Sequence, residues 1–448
     1  MMAEHLAGAA LRSGALAIAF VALWLPQTGD AALPIQSWEA STGARVYFVE
    51  SHDLPMLDVS VEFPAGSGRD IPESSGLASL TQRLMRLGTQ SSDENEIARK
   101  LADVGANLNP TFDVDRAGYS LRTLSSDVEQ QQALRVLAQI LQAPTFPEAV
   151  LEREKARVIA GLKESDTKPE NIAPRTFMAL VFGNHPYALR TTGEPASVAK
   201  LARADLLAFY RAHYNPSRAV VAIMGDVTRE RAGEIAEVLT AALPRTTEAL
   251  PPLPTVSPLA AAVERDIERP SAQAHILVGQ PGLKRSDPDY FPLWVGNYIL
   301  GGGGFNSRLY QQVREKRGLS YSVYSYFAPL QQLGAFQIGL QTRGDQAREA
   351  LAVVRRVLAD FVAEGPTAQE LEGAKQNIIG GFALRIDSNR KIHDYLGVIG
   401  FYHLPLDYID TFSAKVEAIT LEQIRDAFRR RIDPDHLATV VVGGKVAQ

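Results

Sequence analysis

The residue types that most often carry catalysis are few and scattered in this sequence. The chain has 448 residues and no cysteine, so disulfides, thiolate metal sites and a cysteine nucleophile are excluded. Its eight histidines form no H-x-x-x-H or H-x-x-E-H spacing that could bind a metal from one helix. There is also no G-x-S-x-G nucleophile elbow and no phosphate-binding G-K-[ST] motif. We therefore interpret the histidines as structural and predict no self-contained active site.

A run of four glycines, Gly301, Gly302, Gly303 and Gly304, is the most unusual local feature. A dinucleotide-binding fingerprint would need a further glycine at the position of Asn306. We interpret the run as a loop whose backbone approaches another group closely, because glycine has no Cβ to prevent it.

Composition indicates a soluble globular protein with room for more than one core. Hydrophobic residues make up 46% of the chain and the formal net charge is -5. A chain this acidic lacks the excess of positive charge that nucleic-acid binding requires. No nucleic-acid partner is predicted.

The N-terminus has the three-part layout of a secretory signal. Arg12 precedes an apolar run from residue 15 to residue 25, and Pro26 and the small residues 29–32 follow it. The alternative, a membrane anchor, is disfavoured because a span needs roughly 20 apolar residues. We predict that residues 1–31 are a signal peptide cleaved near Ala31, which leaves a periplasmic protein without a membrane anchor.

The remaining chain contains an internal repeat. The turn at Asn215-Pro216 and the glycine Gly225 recur at Asp433-Pro434 and Gly443, and both spacings (434 − 216 and 443 − 225) are 218 residues. A second echo, between residues 151–161 and 371–381, has an offset of 220. The repeat predicts two homologous domains.

The predicted fold class is α+β. Residues 57–63 alternate as a strand does, whereas residues 127–141 have the spacing of a long helix. We expect each domain to be an antiparallel sheet backed by helices. The domains should span residues 32–244 and 263–448, and the proline-rich residues 245–262 should join them as an extended linker.

Several segments together resemble the pitrilysin-type inverzincin peptidases, the family of insulin-degrading enzyme and mitochondrial processing peptidase. The resemblance spans nearly the whole chain after the signal and rests on the segments 66–70, 76–78, 151–154, 184–187, 301–309 and 314–321. It implies a zinc peptidase fold.

The resemblance also shows what this chain lacks. Catalytic members hold zinc with the two histidines of H-x-x-E-H and a distant glutamate, and the motif glutamate activates water. Here the histidine positions carry Ser79 and Arg83, the general base is replaced by Gln82, and the third ligand position falls on Gly161. A permanently charged guanidinium repels a dication, and glutamine accepts no proton at neutral pH. We predict no metal and no cofactor in this chain.

The resemblance assigns a role to a second pair of residues. Family members use an arginine and a tyrosine seven positions apart in the second half, and Arg314 and Tyr321 have that spacing. The implied role is to bind peptide and stabilise the transition state at a zinc site built by another domain. The structural alternative makes Arg314 a helix-end charge and Tyr321 a strand residue. Arg317 is a competing candidate for the arginine.

The resemblance further implies that peptide substrates add a strand to an exposed sheet edge, here near residues 106–111. Pro110 lies in that segment and removes a backbone donor, which should weaken peptide binding.

Two functions follow as hypotheses. In the first, the chain is inactive alone and is the zinc-free subunit of a heterodimeric periplasmic metalloendopeptidase, whose homologous partner carries H-x-x-E-H and the zinc. In the second, the chain is a non-enzymatic peptide-binding or assembly scaffold of the same fold. Arg314 and Tyr321 separate the two, since a scaffold has no need of them.

Overall fold

The computed structural model describes residues 34–444. The predicted signal peptide, residues 1–31, lies outside the described residues. Within residues 34–444, no helix combines the length and the apolar character needed to cross a membrane.

The first half of the chain forms a six-stranded sheet. Its strands are β1 (Gln36–Glu39), β2 (Arg45–Glu50), β3 (Met56–Phe63), β4 (Asn107–Phe112), β5 (Ala117–Leu124) and β6 (Val220–Gly225). They lie in the order β1-β2-β6-β3-β5-β4, and every neighbouring pair is antiparallel except β2 and β6. Strand β4 is therefore an edge strand.

The second half forms a five-stranded sheet with the same plan. Its strands are β7 (Val263–Ile267), β8 (Gln273–Pro281), β9 (Val323–Phe327), β10 (Ala335–Arg343) and β11 (Ala438–Gly443). Their order is β7-β11-β8-β10-β9, and only β7 and β11 are parallel. Strand β9 thus takes the edge position that β4 has in the first sheet. Strand β11 begins 218 residues after β6 (438 − 220), the offset of the sequence repeat.

The predicted α+β class with two similar sheets is confirmed. One feature differs from the expected purely antiparallel sheets, because each contains one parallel pair. That pair forms when the last strand of each half inserts beside the first strand of the repeated unit.

Fourteen helices connect and cover the strands within the described residues. Those of the first half are α1 (Leu77–Met85), α2 (Glu94–Ala102), α3 (Asp127–Gln142), α4 (Glu148–Ser165), α5 (Pro169–Phe182), α6 (Pro195–Lys200), α7 (Arg203–His213) and α8 (Arg229–Thr240). Those of the second half are α9 (Tyr290–Asn297), α10 (Ala347–Glu364), α11 (Ala368–Gly380), α12 (Asn389–Phe401), α13 (Phe412–Glu417) and α14 (Leu421–Arg431).

The core of the first half lies between its sheet and the helices that share an apolar stripe. In α3, for example, Ala133, Leu137 and Ile140 recur every three or four residues and are fully buried. They join one continuous apolar cluster with Val59 of β3 and Leu84 of α1. This packing fixes α1, the helix that would carry a zinc motif.

The two halves exchange one helix each. Helix α5 of the first half packs on β8 and β11 of the second sheet, and α12 of the second half packs on β6 and β3 of the first. Both contacts use a glycine to bring the surfaces close. A Cβ at Gly279 would lie 2.9 Å from the Phe177 ring of α5, and one at Gly400 of α12 would lie 2.6 Å from Val220. The halves are therefore one interlocked unit.

Residues 245–262 contain neither helix nor strand and run along the first half. Arg69 donates to the backbone oxygen of Pro251 at 2.6 Å, and a ring nitrogen of His185 lies 2.9 Å from the oxygen of Pro254. Proline-rich chain has few donors of its own, so side chains of the first half supply them.

Candidate functional site

Helix α1 begins with a buried carboxylate. Asp70 accepts hydrogen bonds from the backbone N–H groups of Gly76 at 2.8 Å and Ala78 at 2.9 Å, which are otherwise unsatisfied at a helix start. Burial raises the pKa of Asp70 to about 7, although both N–H donors favour the charged form. Gly76 itself has a φ of 95°, a left-handed conformation that suits glycine.

Gln82, at the position of the general base, is used inside the protein. Its side chain is buried, and its Nε2 donates to the backbone oxygen of Gly118 on β5 at 3.0 Å. The hydroxyl of Tyr119 in turn donates to the Gln82 backbone oxygen. These bonds tie α1 to β5 and leave Gln82 without a position from which to activate water.

Arg83, at the second histidine position, is paired with a carboxylate that has no solvent exposure. Its Nε donates to Glu154 of α4 at 2.7 Å. Arg157 and Arg153 approach the other oxygen of Glu154 at 2.9 Å and 3.2 Å. Three guanidinium groups therefore surround one buried carboxylate, which supplies the compensation that a buried charge requires.

Ser79 and Gly161 complete the set of four positions. Ser79 is half-buried on α1, and Gly161 is exposed on α4 with no atom within 4 Å of where its Cβ would be. Gly161 has no side chain that could act as a ligand. The structure thus brings the four predicted positions to the facing helices α1 and α4.

These residues do not fit zinc. Zinc in proteins is held by deprotonated or neutral nitrogen, sulfur or oxygen donors, and a guanidinium offers none. Within residues 34–444, no cluster of three or more His, Cys, Asp or Glu side chains could hold a metal ion. The positive charge beside Glu154 comes from the guanidinium groups of Arg83, Arg153 and Arg157.

Arg314 and Tyr321 lie together in the second half. Arg314 is in a π-helical turn, Tyr310–Glu315, and its Nη1 donates to the Tyr321 backbone oxygen at 2.9 Å. Its guanidinium carbon also lies 4.4 Å from the centre of the Tyr321 ring. Arg317 bonds instead to Gln312. Tyr321 is 82% exposed.

The four glycines precede this pair, and where a loop was expected the structure places three of them in helical turns, with Gly303 between the turns. A π-helical turn spans Tyr298–Gly302, and a short 3₁₀ turn spans Gly304–Asn306. A Cβ at Gly301 would lie 2.8 Å from the backbone nitrogen of Ser325 on β9. Gly304 has a φ of 59° and open space around it. The first of these glycines therefore has a packing role, whereas the last faces open space.

Two cavities meet at helix α5. A cavity of about 500 Å³ is lined by Arg83 and Gly161, and a smaller one of about 100 Å³ is lined by Ser322 and Tyr324. Pro174 of α5 lines both. Neither Arg314 nor Tyr321 is among the residues that line the larger cavity, so this chain does not bring that pair into its own vacant zinc position.

The predicted peptide edge corresponds to β4. Pro110 lies within β4, opposite Tyr119 of β5. Strand β5 lies between β4 and β3. The outer side of β4 is open within the described sheet. Pro110 removes one donor from the strand.

Two polar clusters could not be found from sequence reasoning. The first is Glu154 and its arginines, whose only local sign is the spacing of Arg153, Glu154 and Arg157 within one helix. The second is Asp115, a buried carboxylate that accepts from the hydroxyl groups of Tyr187 at 2.7 Å and Tyr402 at 3.0 Å. Tyr402 belongs to the second half, so this cluster joins the halves, and no local pattern indicates it.

Fold and site together define a peptidase-like protein without its metal centre. Residues 45–194 match the family described as "Insulinase (Peptidase family M16)", and residues 200–378 match "Peptidase M16 inactive domain". The crystal structure titled as a peptidase M16 inactive domain from Pseudomonas fluorescens is 38% identical, covers 93% of this chain and 99% of its own, and superposes with a TM-score of 0.89. The chain belongs to the M16 (insulinase) peptidase family and is a non-catalytic member of it.

Some curated relatives are named as zinc proteases, and one is named as a non-peptidase homolog. The "Uncharacterized zinc protease YmxG" of Bacillus subtilis (strain 168) is 24% identical over 409 residues, which are 91% of this chain and 98% of that protein. The "Non-peptidase homolog YmxG" of Helicobacter pylori (strain ATCC 700392 / 26695) is 26% identical over 407 residues, with 89% and 92% coverage. A similar fold therefore occurs in proteins with either name.

Proposed function

We propose that this chain is the zinc-free subunit of a heterodimeric periplasmic metalloendopeptidase. It supplies Arg314 and Tyr321 to the active site of a homologous subunit that carries H-x-x-E-H and zinc. Tyr321 donates a hydrogen bond to the oxygen of the scissile carbonyl as that oxygen gains charge, and Arg314 binds a backbone carbonyl of the peptide.

The observation that carries this proposal is the exposed, preorganised pair. The bond from Arg314 to the Tyr321 backbone fixes the tyrosine, while its ring is 82% exposed. No hydrogen bond of the Tyr321 hydroxyl is found within residues 34–444. A large exposed aromatic side chain held in place by a neighbouring cation supports a role outside its own chain.

The first half is also consistent with a zinc site that lies in another subunit. Gln82 and Arg83 are committed to internal bonds with Gly118 and Glu154, and Gly161 has no side chain. An enzyme that needs zinc must therefore obtain it from another subunit.

Reconstitution tests the proposal. The purified chain alone should bind less than one zinc per molecule by elemental analysis and should not cleave a quenched fluorescent peptide. A mixture with a homologous H-x-x-E-H subunit from the same organism should cleave it and should elute as a one-to-one complex. Stoichiometric zinc with cleavage by the isolated chain contradicts the proposal, and so does full activity of the zinc-bearing subunit on its own.

The scaffold hypothesis is the alternative outcome of this experiment. A complex that forms but cleaves equally well whether or not Arg314 and Tyr321 are intact would favour a role in assembly. Fractionation of the source cells checks the location: the mature chain should be recovered with periplasmic proteins and should begin near residue 32.

A further inference from the structure

The cavity beside the vacant zinc position has an unusual lining. No carboxylate lines this cavity. Four arginines do, namely Arg83, Arg157, Arg175 and Arg190. The carboxylates that pair with them are not among the lining residues. In a catalytic relative this place would hold a dication, and here guanidinium groups provide the positive charge.

The paired carboxylates do not balance the arginines completely. Glu154 binds Arg83, Arg153 and Arg157, and Arg153 also binds Glu94. Asp166 and Glu194 bind both Arg175 and Arg190. Within this network, five arginines face four carboxylates, which leaves one positive charge uncompensated.

Hydrogen-bond donors are also left over. Arg83 bonds to Glu154 through Nε alone, and Arg157 bonds to it through Nη1 alone. Each guanidinium has five N–H donors in a planar fork. Within the described part of the chain, the remaining donors of Arg83 and Arg157 have no protein acceptor, so they are free to bind an anion in the cavity.

The rest of the wall is mixed: Ser165, Asn171, Thr191 and Thr192 are polar, and an apolar patch lies among them. Val158 and Leu162 of α4, Met178 of α5 and Leu189 face the cavity next to the arginines. A small inorganic anion would leave this apolar surface exposed to water. An acid with an adjoining hydrocarbon group would cover it and would bind the arginines at the same time.

We propose that this cavity binds a carboxylate that adjoins an apolar side chain, as found at the end of a peptide with an apolar last residue. Its volume of about 500 Å³ lies within the range of small-ligand sites. The site is in the first half and is distinct from Arg314 and Tyr321. The inference therefore does not depend on the proposed function and can be tested on the isolated chain.

Fluorescence anisotropy with short N-terminally labelled peptides tests the proposal. One peptide ends in leucine with a free carboxylate, a second is its C-terminal amide, and a third is an amide that contains glutamate beside leucine. The free acid should bind at least about tenfold more tightly than the neutral amide, a difference of about 1.4 kcal/mol. The third peptide shows whether an acidic side chain can replace the terminal carboxylate. If it binds tightly, the cavity accepts either kind of carboxylate; if it binds weakly, the cavity accepts only the C-terminal one.

Two substitutions in the chain locate the site. Gly161→Leu should fill the cavity without removing a charge, because a side chain there meets only open space. Its matched control is Gly373→Leu in α11, where a Cβ also has no neighbour within 4 Å. Arg157→Gln removes one guanidinium charge from the cavity wall. Its control is Arg343→Gln, because Arg343 is 67% exposed and paired to Asp345.

Both site variants should weaken binding of the free acid by about tenfold or more, and both controls should bind like the parent chain. Equal binding of the acid and the neutral amide would overturn the proposal. So would unchanged binding by Gly161→Leu, given that thermal unfolding shows the variant to be folded.

Discussion

The two halves of this protein share a strand order and an exchanged helix, yet they use their polar side chains in opposite ways. In the first half, Gln82 and Arg83 are tied to Gly118 and Glu154 inside the molecule. In the second half, the ring of Tyr321 is 82% exposed. One fold therefore supports two arrangements: in the first half Gln82 and Arg83 bond to groups of their own chain, and in the second half Tyr321 is exposed.

The difference shows that the core does not depend on the metal site. Ala78, Leu80 and Leu84 of α1 are buried in the first core, although the polar positions beside them carry no zinc motif. The Glu154 side chain has no solvent exposure, and arginines balance its charge. In this chain arginines compensate the buried charge of Glu154, and α1 is packed into the core without a zinc motif.

The largest expected effect concerns the exposed half. Tyr321→Phe should lower kcat/KM of the reconstituted complex by about 100-fold, because one donor to a developing oxyanion is lost. Steady-state kinetics on the complex measures it. The stability of the chain should not change, since the hydroxyl has no partner in the described residues.

Tyr326→Phe is the matched control for that prediction. Tyr326 is a second exposed tyrosine of the same segment, 41% exposed and stacked on Tyr324, but it lacks the seven-residue spacing from Arg314. Equal losses in the two variants would contradict the assignment of Tyr321. No loss in either would remove the functional contrast between the halves.

The next effect concerns the ion pair between Arg83 and Glu154 in the first half. Arg83→Met should lower the free energy of unfolding by about 1–3 kcal/mol, because Glu154 remains buried with one partner fewer. Urea denaturation measures it. Arg99→Met is the control: Arg99 is 67% exposed and lies 4.0 Å from Glu96, so its change should be within about 0.5 kcal/mol. An Arg83 variant as stable as the parent would show that Arg153 and Arg157 suffice for Glu154.

A smaller effect is the pH dependence of stability, which should differ between the carboxylates at the starts of α1 and α9. Asp70 precedes α1, and burial raises its pKa to about 7, above the value of about 3.9 in an unfolded chain. Its contribution to stability is therefore complete below about pH 4 and is lost as pH rises through 7. Asp289 begins α9, and hydrogen bonds from Arg430 and Arg431 lower its pKa. Its contribution is present above about pH 4 and is lost on acidification.

Denaturation between about pH 3 and pH 8 measures both effects. Asp70→Asn should flatten the decline in stability from pH 4 to pH 7. Asp289→Asn should reduce stability at neutral pH, and the reduction should diminish toward pH 3. The same slope in Asp70→Asn and the parent chain would show that Asp70 does not titrate in this range.

Sequence patterns could predict the elements better than their arrangement. The alternation of residues 57–63 and the helical spacing of 127–141 correspond to β3 and α3, and the repeat offset of 218 relates β6 to β11. The parallel pairs and the exchange of α5 and α12 were not predicted. An apolar stripe shows that a helix is buried, but it does not show which sheet covers it.

The candidate site divides in the same way. The spacing of Arg314 and Tyr321 is local, so the sequence could indicate the pair, and the structure places the two in contact. Glu154 is 71 residues from Arg83, and Asp115 is 287 residues from Tyr402. Contacts over such separations leave no periodic pattern, because they are created by tertiary packing and by the exchange of helices between the halves.

The smallest expected effect tests whether Gly161 is constrained by its own helix. Gly161→Ala should raise the free energy of unfolding by about 0.5–1 kcal/mol, since alanine is the better helix former and the added Cβ meets open space. Gly373→Ala in α11 should give a similar gain. Gly296→Ala in α9 should instead be destabilising, because its Cβ would lie 2.4 Å from the Phe428 ring. Thermal and urea unfolding of the three variants measure these shifts. A loss at Gly161 beside a gain at Gly373 would mean that packing constrains the vacant ligand position, which would contradict the open space found around its Cβ.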